Sequence, residues 1–378
     1  MQYTRRAFGK LALASLPAGA LLEVPLFGSA LAQAKPNSKF AGVQIGVITY
    51  SYGRMPDQSA EATLKYVLGG GISAIELMDG PVESFIGRPP APPRGGGPGG
   101  GGGRRGGAAG EAPAGPTPYE QLLAGTMPTC TPPPGRAGGA GAGGGRGGAA
   151  PTPEALAAAE ELRKWRTSVS MDKVKALRKM YNDAGVTMYA YKSDGLQKNL
   201  QTTDAELDYL FTVAKTLGAN HTTMELPEPG PDGGAMLKRM AQFAEKHKVY
   251  VAYHTHAQGS MTAFDEALAM SKWNMSNVDL GHYVAAGNKG GTPLEFLATH
   301  HDRIASFHLK DRTLPEHCSL TVPFGMGDGR IKDILLLMKK NKWTFPATIE
   351  LESPVPVGSD SVNEVKKCVD FAKGVLLG

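Results

Sequence analysis

The chain has 378 residues, with 40 Lys and Arg against 35 Asp and Glu and a net charge of +5. That length suits one large α/β domain or two smaller ones. The excess charge is local: residues 1–32 carry +2 and residues 87–153 carry +4, which leaves −1 for all the rest, so the folded part lacks the basic footprint that phosphate-backbone binding requires.

The chain opens with "TRRAFGK", a twin-arginine pair, followed by an apolar stretch and the small-residue run "ALA" at 30–32. This reads as a twin-arginine export signal over residues 1–32, removed from a periplasmic or otherwise exported protein. Pro17, Gly19 and Pro25 interrupt the stretch, which argues against a spanning anchor and for no stable membrane insertion after signal removal. The route carries folded proteins, which suits one that acquires a metal or cofactor first. Three cysteines, Cys130, Cys318 and Cys368, are too few and too unevenly numbered for a disulfide framework.

Strands are expected at 43–49, 73–78, 186–192, 220–226, 249–256, 277–282, 304–311 and 347–353, from short β-branched and aromatic runs bounded by turn residues. Helical periodicity falls at 59–68, 154–184 with a break near Ser168–Ser170, 203–217, 233–247, 262–272, 293–300, 330–341 and 360–375. In "SMDKVKALRKMYNDAG" the apolar Val174, Leu177, Met180 and Tyr181 keep helical spacing and Gly185 follows the end. Eight strands, each followed by a helix, predict a (β/α)₈ TIM barrel over 40–375. A doubly wound sheet lacks its Gly-rich turn here, because "GGGIS" precedes a strand instead of following one.

Residues 87–153 interrupt this pattern after the second strand. Their Gly/Pro/Ala/Arg tracts have little to bury and are expected to be a disordered insertion, with "TPYEQLLAG" at 117–125 as a short island. Arg-Gly-Gly repeats can bind single-stranded nucleic acid, but a passive insertion is the simpler reading of so few.

Polar residues cluster at the strand C-terminal ends, where barrel side chains face one mouth. They are Glu76, Glu225, His254, His256, Asp279, His282, His308, Lys310, Asp311, Glu350 and Glu352. A lone strand histidine is usually a satisfied core residue. Their coincidence on consecutive strands points instead to a site for one divalent ion, with mixed His and carboxylate ligands suited to Mn²⁺, Zn²⁺, Fe²⁺ or Co²⁺.

At these residues the chain resembles the xylose-isomerase-like barrel superfamily, the sugar phosphate isomerase/epimerase and AP endonuclease family 2 group. The carrying motifs are "AIEL", "YHTH", "VDLGHYVAAG", "FHLKD", "GMGDGRIKDILLLMKK" and "TIELE". The resemblance implies metal ligands at His254, Asp279, His308 and Glu350, with His256 as an alternative ligand, an orienter or a substrate contact. It implies catalytic roles at Glu350, Glu225, Lys310 and His256, and substrate contacts at Glu76, His282, Asp311 and Glu352. A ligating Glu is usual where His254 stands, which sets the chain apart from two-carboxylate keto-sugar epimerases. Inosose dehydratase-like members and 3-keto-glycoside lyases carry a similar "YH-x-H" strand. The expected activity is therefore that of a metal-dependent lyase or isomerase acting on a keto-sugar or oxidised glycoside through an enediolate, with elimination expected to dominate. A sugar epimerase or isomerase of the same family and a non-catalytic exported carbohydrate-binding barrel are the alternatives. The AP endonuclease reading needs a three-metal cluster and a basic DNA face, which the charge balance does not supply. "GMGDG" is Gly-rich enough to cradle a phosphate, although an exported enzyme rarely meets sugar phosphates. Oligomeric state is not legible.

Overall fold

A computed structural model describes residues 35–90, 115–131, 152–197 and 202–378. The export signal expected at 1–32 lies outside the described residues, as does most of the segment expected to be an insertion.

The barrel strands are β1 (Val43–Ile48), β2 (Ala74–Met78), β3 (Thr187–Lys192), β4 (His221–Glu225), β5 (Tyr250–His254), β6 (Asn274–Asn277), β7 (Phe307–Leu309) and β8 (Ala347–Ile349). They pair in parallel in the order β6-β5-β4-β3-β2-β1-β8-β7. The seam between β6 and β7 is closed by isolated parallel bridges, Ser276 to Ile304 and Asp279 to His308. Two backbone bonds hold it, from Ala305 N to Ser276 O at 3.0 Å and from His308 N to Val278 O at 2.9 Å. Helices follow the strands and pack apolar faces outside the sheet, as in Asp204–Leu217, which buries Leu207, Leu210, Phe211, Val213 and Ala214. Ends are capped where the sequence offers caps: Thr203 and Glu206 form a reciprocal capping box, and Gly218 ends that helix at φ +86°.

The interior is filled, not hollow. Gly46 on β1 leaves room for the Tyr189 ring, against which any Cβ at 46 would collide, and the Tyr189 hydroxyl bonds Thr348 Oγ1 at 2.7 Å. Above this floor a polar layer runs from His221 Nε2 to Ser306 Oγ at 3.0 Å and from Asn277 Nδ2 to Ser306 Oγ at 2.7 Å.

Three expectations need correction. The strand expected at 277–282 is displaced: β6 is Asn274–Asn277, and Asp279 caps the helix Leu280–Ala285, its Oδ1 accepting from His282 N at 2.8 Å. An N-terminal cap overrides a short apolar run. The strands expected at 304–311 and 347–353 end earlier, at Leu309 and Ile349. Asp311–Arg312 instead pairs antiparallel with Thr321–Val322. The cysteine count was also misleading, because Cys130 and Cys318 form a disulfide across 188 residues of sequence.

That bond bears on the insertion. Its described part is not featureless: Pro118–Leu123 is a helix with a Thr117/Glu120 capping box and a buried Leu122. The Cys130 amide also donates to Glu316 O at 2.8 Å. The insertion after β2 and the loop after β7 both leave the C-terminal face of the barrel, so distant cysteines meet at the rim. Among the described residues no helix is long and apolar enough to cross a membrane.

Candidate metal centre at the barrel mouth

His254, Asp279, His308 and Glu350 are all buried, and each offers a ligand atom within 4.8 Å of the others. His254 ends β5, Asp279 follows β6, His308 lies on β7 and Glu350 follows β8. Neighbouring parallel strands thus place four donors around one point.

The donors' outer partners say which atoms face inward. His254 Nδ1 lies 2.8 Å from Asn277 Oδ1, and Asn277 Nδ2 donates to Ser306 Oγ at 2.7 Å, which leaves Oδ1 as the acceptor for His254. The ring proton therefore sits on Nδ1 and the Nε2 lone pair faces the cluster, 4.0 Å from Asp279 Oδ2. His308 Nε2 lies 3.0 Å from Glu76 Oε2, while Nδ1 faces Glu350 Oε2 at 3.0 Å and Asp279 Oδ2 at 3.9 Å. A carboxylate behind a histidine is the usual support for a metal-ligating imidazole. Asp279 Oδ2 is buried and accepts no hydrogen bond, though the Lys310 ammonium stands 3.0 Å away. Two imidazole nitrogens and two carboxylate oxygens, one of them an orphan, fit a divalent ion of intermediate hardness. His254 belongs to this set; His256 joins only a second group with Glu225 and His254.

The electrostatics are strongly coupled. Burial favours the neutral form of His308, but Glu350 and Glu76 outweigh it and push its pKa up to about 10. Burial would raise Asp279, yet Lys310 and His282 bring it down to about 2. Glu350 is likewise held well below the usual carboxylate range by Lys310 and His308 against its burial. Burial, aided by His308 and Lys192, lowers His254 to about 4, so it is a neutral donor. A cation at the cluster and a proton on His308 Nδ1 exclude each other, so ion uptake releases protons.

Lys310 is 1% exposed and meets three carboxylates: Glu352 Oε2 at 2.6 Å, Glu350 Oε2 at 2.9 Å and Asp279 Oδ2 at 3.0 Å. Its Nζ hydrogen-bonds Glu352 and stands in ion-pair range of the other two carboxylates. Across the mouth, His256 Nδ1 lies 3.0 Å from Glu225 Oε2, and Glu225 Oε1 also accepts from Lys192 Nζ at 3.1 Å. The bond to Glu225 raises the His256 pKa despite burial. Burial would raise the Glu225 carboxyl, but His256, His254 and Lys192 together depress it far below normal. The pairing favours the protonated form of His256. His282 stands between the two groups, its ring 4.6 Å from that of His256 and its Nε2 3.9 Å from Glu352 Oε2. Arg312 Nη1 lies 2.7 Å from His282 Nδ1. Arginine only donates, so His282 is neutral with its proton on Nε2, towards the mouth. Burial, outweighing Asp279, brings its pKa down to about 3.

Two residues expected to touch substrate are placed elsewhere. Glu76 is fully buried behind His308. Asp311 turns into the "GMGDG" loop, where its carboxylate accepts from the amides of Gly325, Gly327 and Gly329 at 2.8, 3.1 and 3.1 Å. A Cβ at Gly327 or Gly329 would collide with Asp311 Oδ1, so those glycines serve the carboxylate and not a phosphate. Asn277, Lys192 and Arg312 were not anticipated. Lys192 ends β3 as the other site residues end their strands, a signal that was available. Asn277 and Arg312 act through histidines and carry no pattern of their own.

A family model for the xylose isomerase-like TIM barrel matches residues 157–373. The chain belongs to that family. Solved structures share the fold at low identity. The probable 3-DHS dehydratase of petrobactin synthesis from Bacillus anthracis is 11% identical with a TM-score of 0.52, covering 87% of this chain and 98% of its own. A sugar phosphate isomerase/epimerase from Parabacteroides distasonis is 14% identical with a TM-score of 0.51, covering 90% and 97%. D-Psicose 3-epimerase from Clostridium cellulolyticum is 9% identical with a TM-score of 0.52, covering 88% and 99%. No curated protein matches the chain.

Proposed function

We propose that this xylose isomerase-like barrel is an exported, divalent-metal-dependent lyase acting on a keto-sugar or oxidised glycoside. The fold does not choose between epimerase and lyase; the distribution of carboxylates supports the choice. His254 stands at the end of β5, and the nearest carboxylate there, Glu225, is bound to both His256 and Lys192. Glu350, itself paired with Lys310 and His308, is assigned as the carboxylate that takes a proton from substrate. Among the described residues the carboxylate across the mouth, Glu225, already serves His256 and Lys192 and is not assigned to return one.

His254, Asp279, His308 and Glu350 would hold the ion, which would supply a Lewis acid for the negative charge that develops when the proton α to the carbonyl leaves. Glu350 accepts that proton. His256, held by Glu225 through Nδ1, donates a hydrogen bond to the sugar from across the mouth, and His282 donates another from Nε2. The carbon–oxygen bond β to the carbonyl then breaks, and the departing oxygen leaves beside the fixed Lys310 cation. The Cys130–Cys318 disulfide supports an oxidising compartment, in keeping with the twin-arginine motif.

The test is product analysis in deuterated water with the Mn²⁺-loaded enzyme and a 3-keto-glycoside. Release of the aglycone and an unsaturated keto-sugar or its hydrate is expected. Clean epimerisation without elimination would reject the lyase and restore Glu225 as a second base.

A further inference from the structure

A cavity of about 390 Å³ opens beside the cluster, within the roughly 300–1,000 Å³ range of small-molecule sites. Tyr50 and Arg54 line it from the segment after β1, Thr321 from the hairpin after β7, and Leu351 and Glu352 from the segment after β8. Its walls are tied to one another. Leu351 N donates to Ser51 Oγ at 3.0 Å, and Arg54 Nη1 donates to Ser353 O at 3.2 Å. The cavity is therefore preformed, not opened by a ligand.

It joins the reacting centre through Glu352, whose Oε2 bonds Lys310 Nζ at 2.6 Å, and Lys310 reaches Glu350 Oε2 at 2.9 Å. A group seated here lies next to the metal cluster on the side of β1 and β8, across the barrel from His256 on the β5 side. Tyr50 is 54% exposed. Among the described residues its ring stacks on no other, in a chain where most large aromatics are packed into the core. An exposed ring face, with an apolar Leu351 and a guanidinium beside it, is a surface for a flat partner. A bond-breaking oxygen on this side meets Lys310, an ammonium held within 3.0 Å of three carboxylates. Lys310 thus offers a fixed positive charge, which suits a leaving group that is stable as an anion. A phenol, with an ordinary pKa near 10, is such a group.

The geometry points to this cavity as the subsite for the leaving half of the substrate, with Tyr50 as the stacking platform for a phenolic aglycone. This rests on the lyase reading for the word "leaving", but the binding claim can be read separately.

The experiment compares phenyl β-D-glucoside with methyl β-D-glucoside as non-reacting probes of the Mn²⁺-loaded protein, by calorimetry, and their 3-keto derivatives as substrates. Wild type should bind the phenyl compound about tenfold more tightly. Tyr50→Ala should remove that preference while leaving methyl glucoside affinity within twofold, and Tyr50→Phe should retain it. Metal content of both variants should match wild type, since Tyr50 touches no ligand. Equal affinity for the two probes in wild type, or an equal loss for both in Tyr50→Ala, would overturn the subsite and leave the lyase reading standing. Tyr50-dependent phenyl preference with no aglycone release from either keto-glycoside would keep the aromatic subsite and overturn the lyase reading.

Discussion

Lys310→Met is the most informative single change, because the ammonium occupies space next to the atoms that would hold a metal. The side chain is 1% exposed, and its charge stands 2.9 and 3.0 Å from Glu350 Oε2 and Asp279 Oδ2. Met keeps most of the length and volume but removes the charge, leaving two buried carboxylates facing each other. Breaking a buried ion pair from one side costs about 3–5 kcal/mol. In a domain of this size that is about 6–10 °C of melting temperature, at roughly 2 °C per kcal/mol. A divalent ion supplies the missing positive charge at the same oxygens. At ~1,000-fold excess over its dissociation constant, an ion binding only the native state adds about 4 kcal/mol, and it adds more where no ammonium competes. The deficit of Lys310→Met should therefore be large in chelator and at least halved in saturating Mn²⁺. Calorimetric melting of both proteins in both media reads this directly. Glu352→Gln is the control, since that carboxylate is 31% exposed and the pair is worth less. An equal deficit with and without Mn²⁺ would refute the idea that Lys310 and the metal share Asp279 and Glu350.

Four further outcomes follow from individual contacts. Asn277→Ala should weaken Mn²⁺ binding by about 10–100-fold, because the bond from His254 Nδ1 is lost; unchanged affinity by calorimetry would sink the tautomer assignment. Asp311→Asn should cost about 1–3 kcal/mol and expose the amides of Gly325, Gly327 and Gly329 to hydrogen exchange, because an NH₂ would face N–H donors; unaltered protection would count against it. His221 is buried and its pKa is brought down to about 4 by burial, so its stabilisation is present above its unfolded value near 6.5 and is lost as pH falls towards 4, by about 3 kcal/mol. The urea stability of His221→Gln should fall less steeply over that window, and parallel curves would contradict this. Cys130→Ser should lower global stability by at most about 5 kcal/mol, the chain-entropy ceiling for a loop of this size, and free Pro118–Leu123 to early proteolysis; a nick rate equal to wild type would show that the helix is held by other contacts.

The barrel was legible because its strands are apolar runs at regular spacing, and strand ends facing one mouth marked out the polar residues there. Grouping His254, Asp279, His308 and Glu350 as one ligand set came from the family resemblance, and the structure brings the four side chains together. What sequence hid was each residue's other neighbour. Asp279 looks like a strand residue until its cap to His282 is seen. Glu76 carries the same strand-end signal as Glu350, yet its partner His308 lies above it, so it supports a ligand instead of meeting substrate. Asp311 follows Lys310 by one position and, past the short β7, turns to the opposite side, where three glycine amides take its carboxylate. Cys130 and Cys318 are 188 residues apart in sequence, and only the shared rim of the barrel brings them together. Alternation along a strand sets which side chains enter the mouth. The segments beyond each strand end set what they touch there, and it is those segments that separate Lys310 as a fixed charge, His256 as the partner of Glu225 and His282 as a neutral donor. Chemistry in this barrel is therefore decided within a few residues past the point where periodicity stops carrying information.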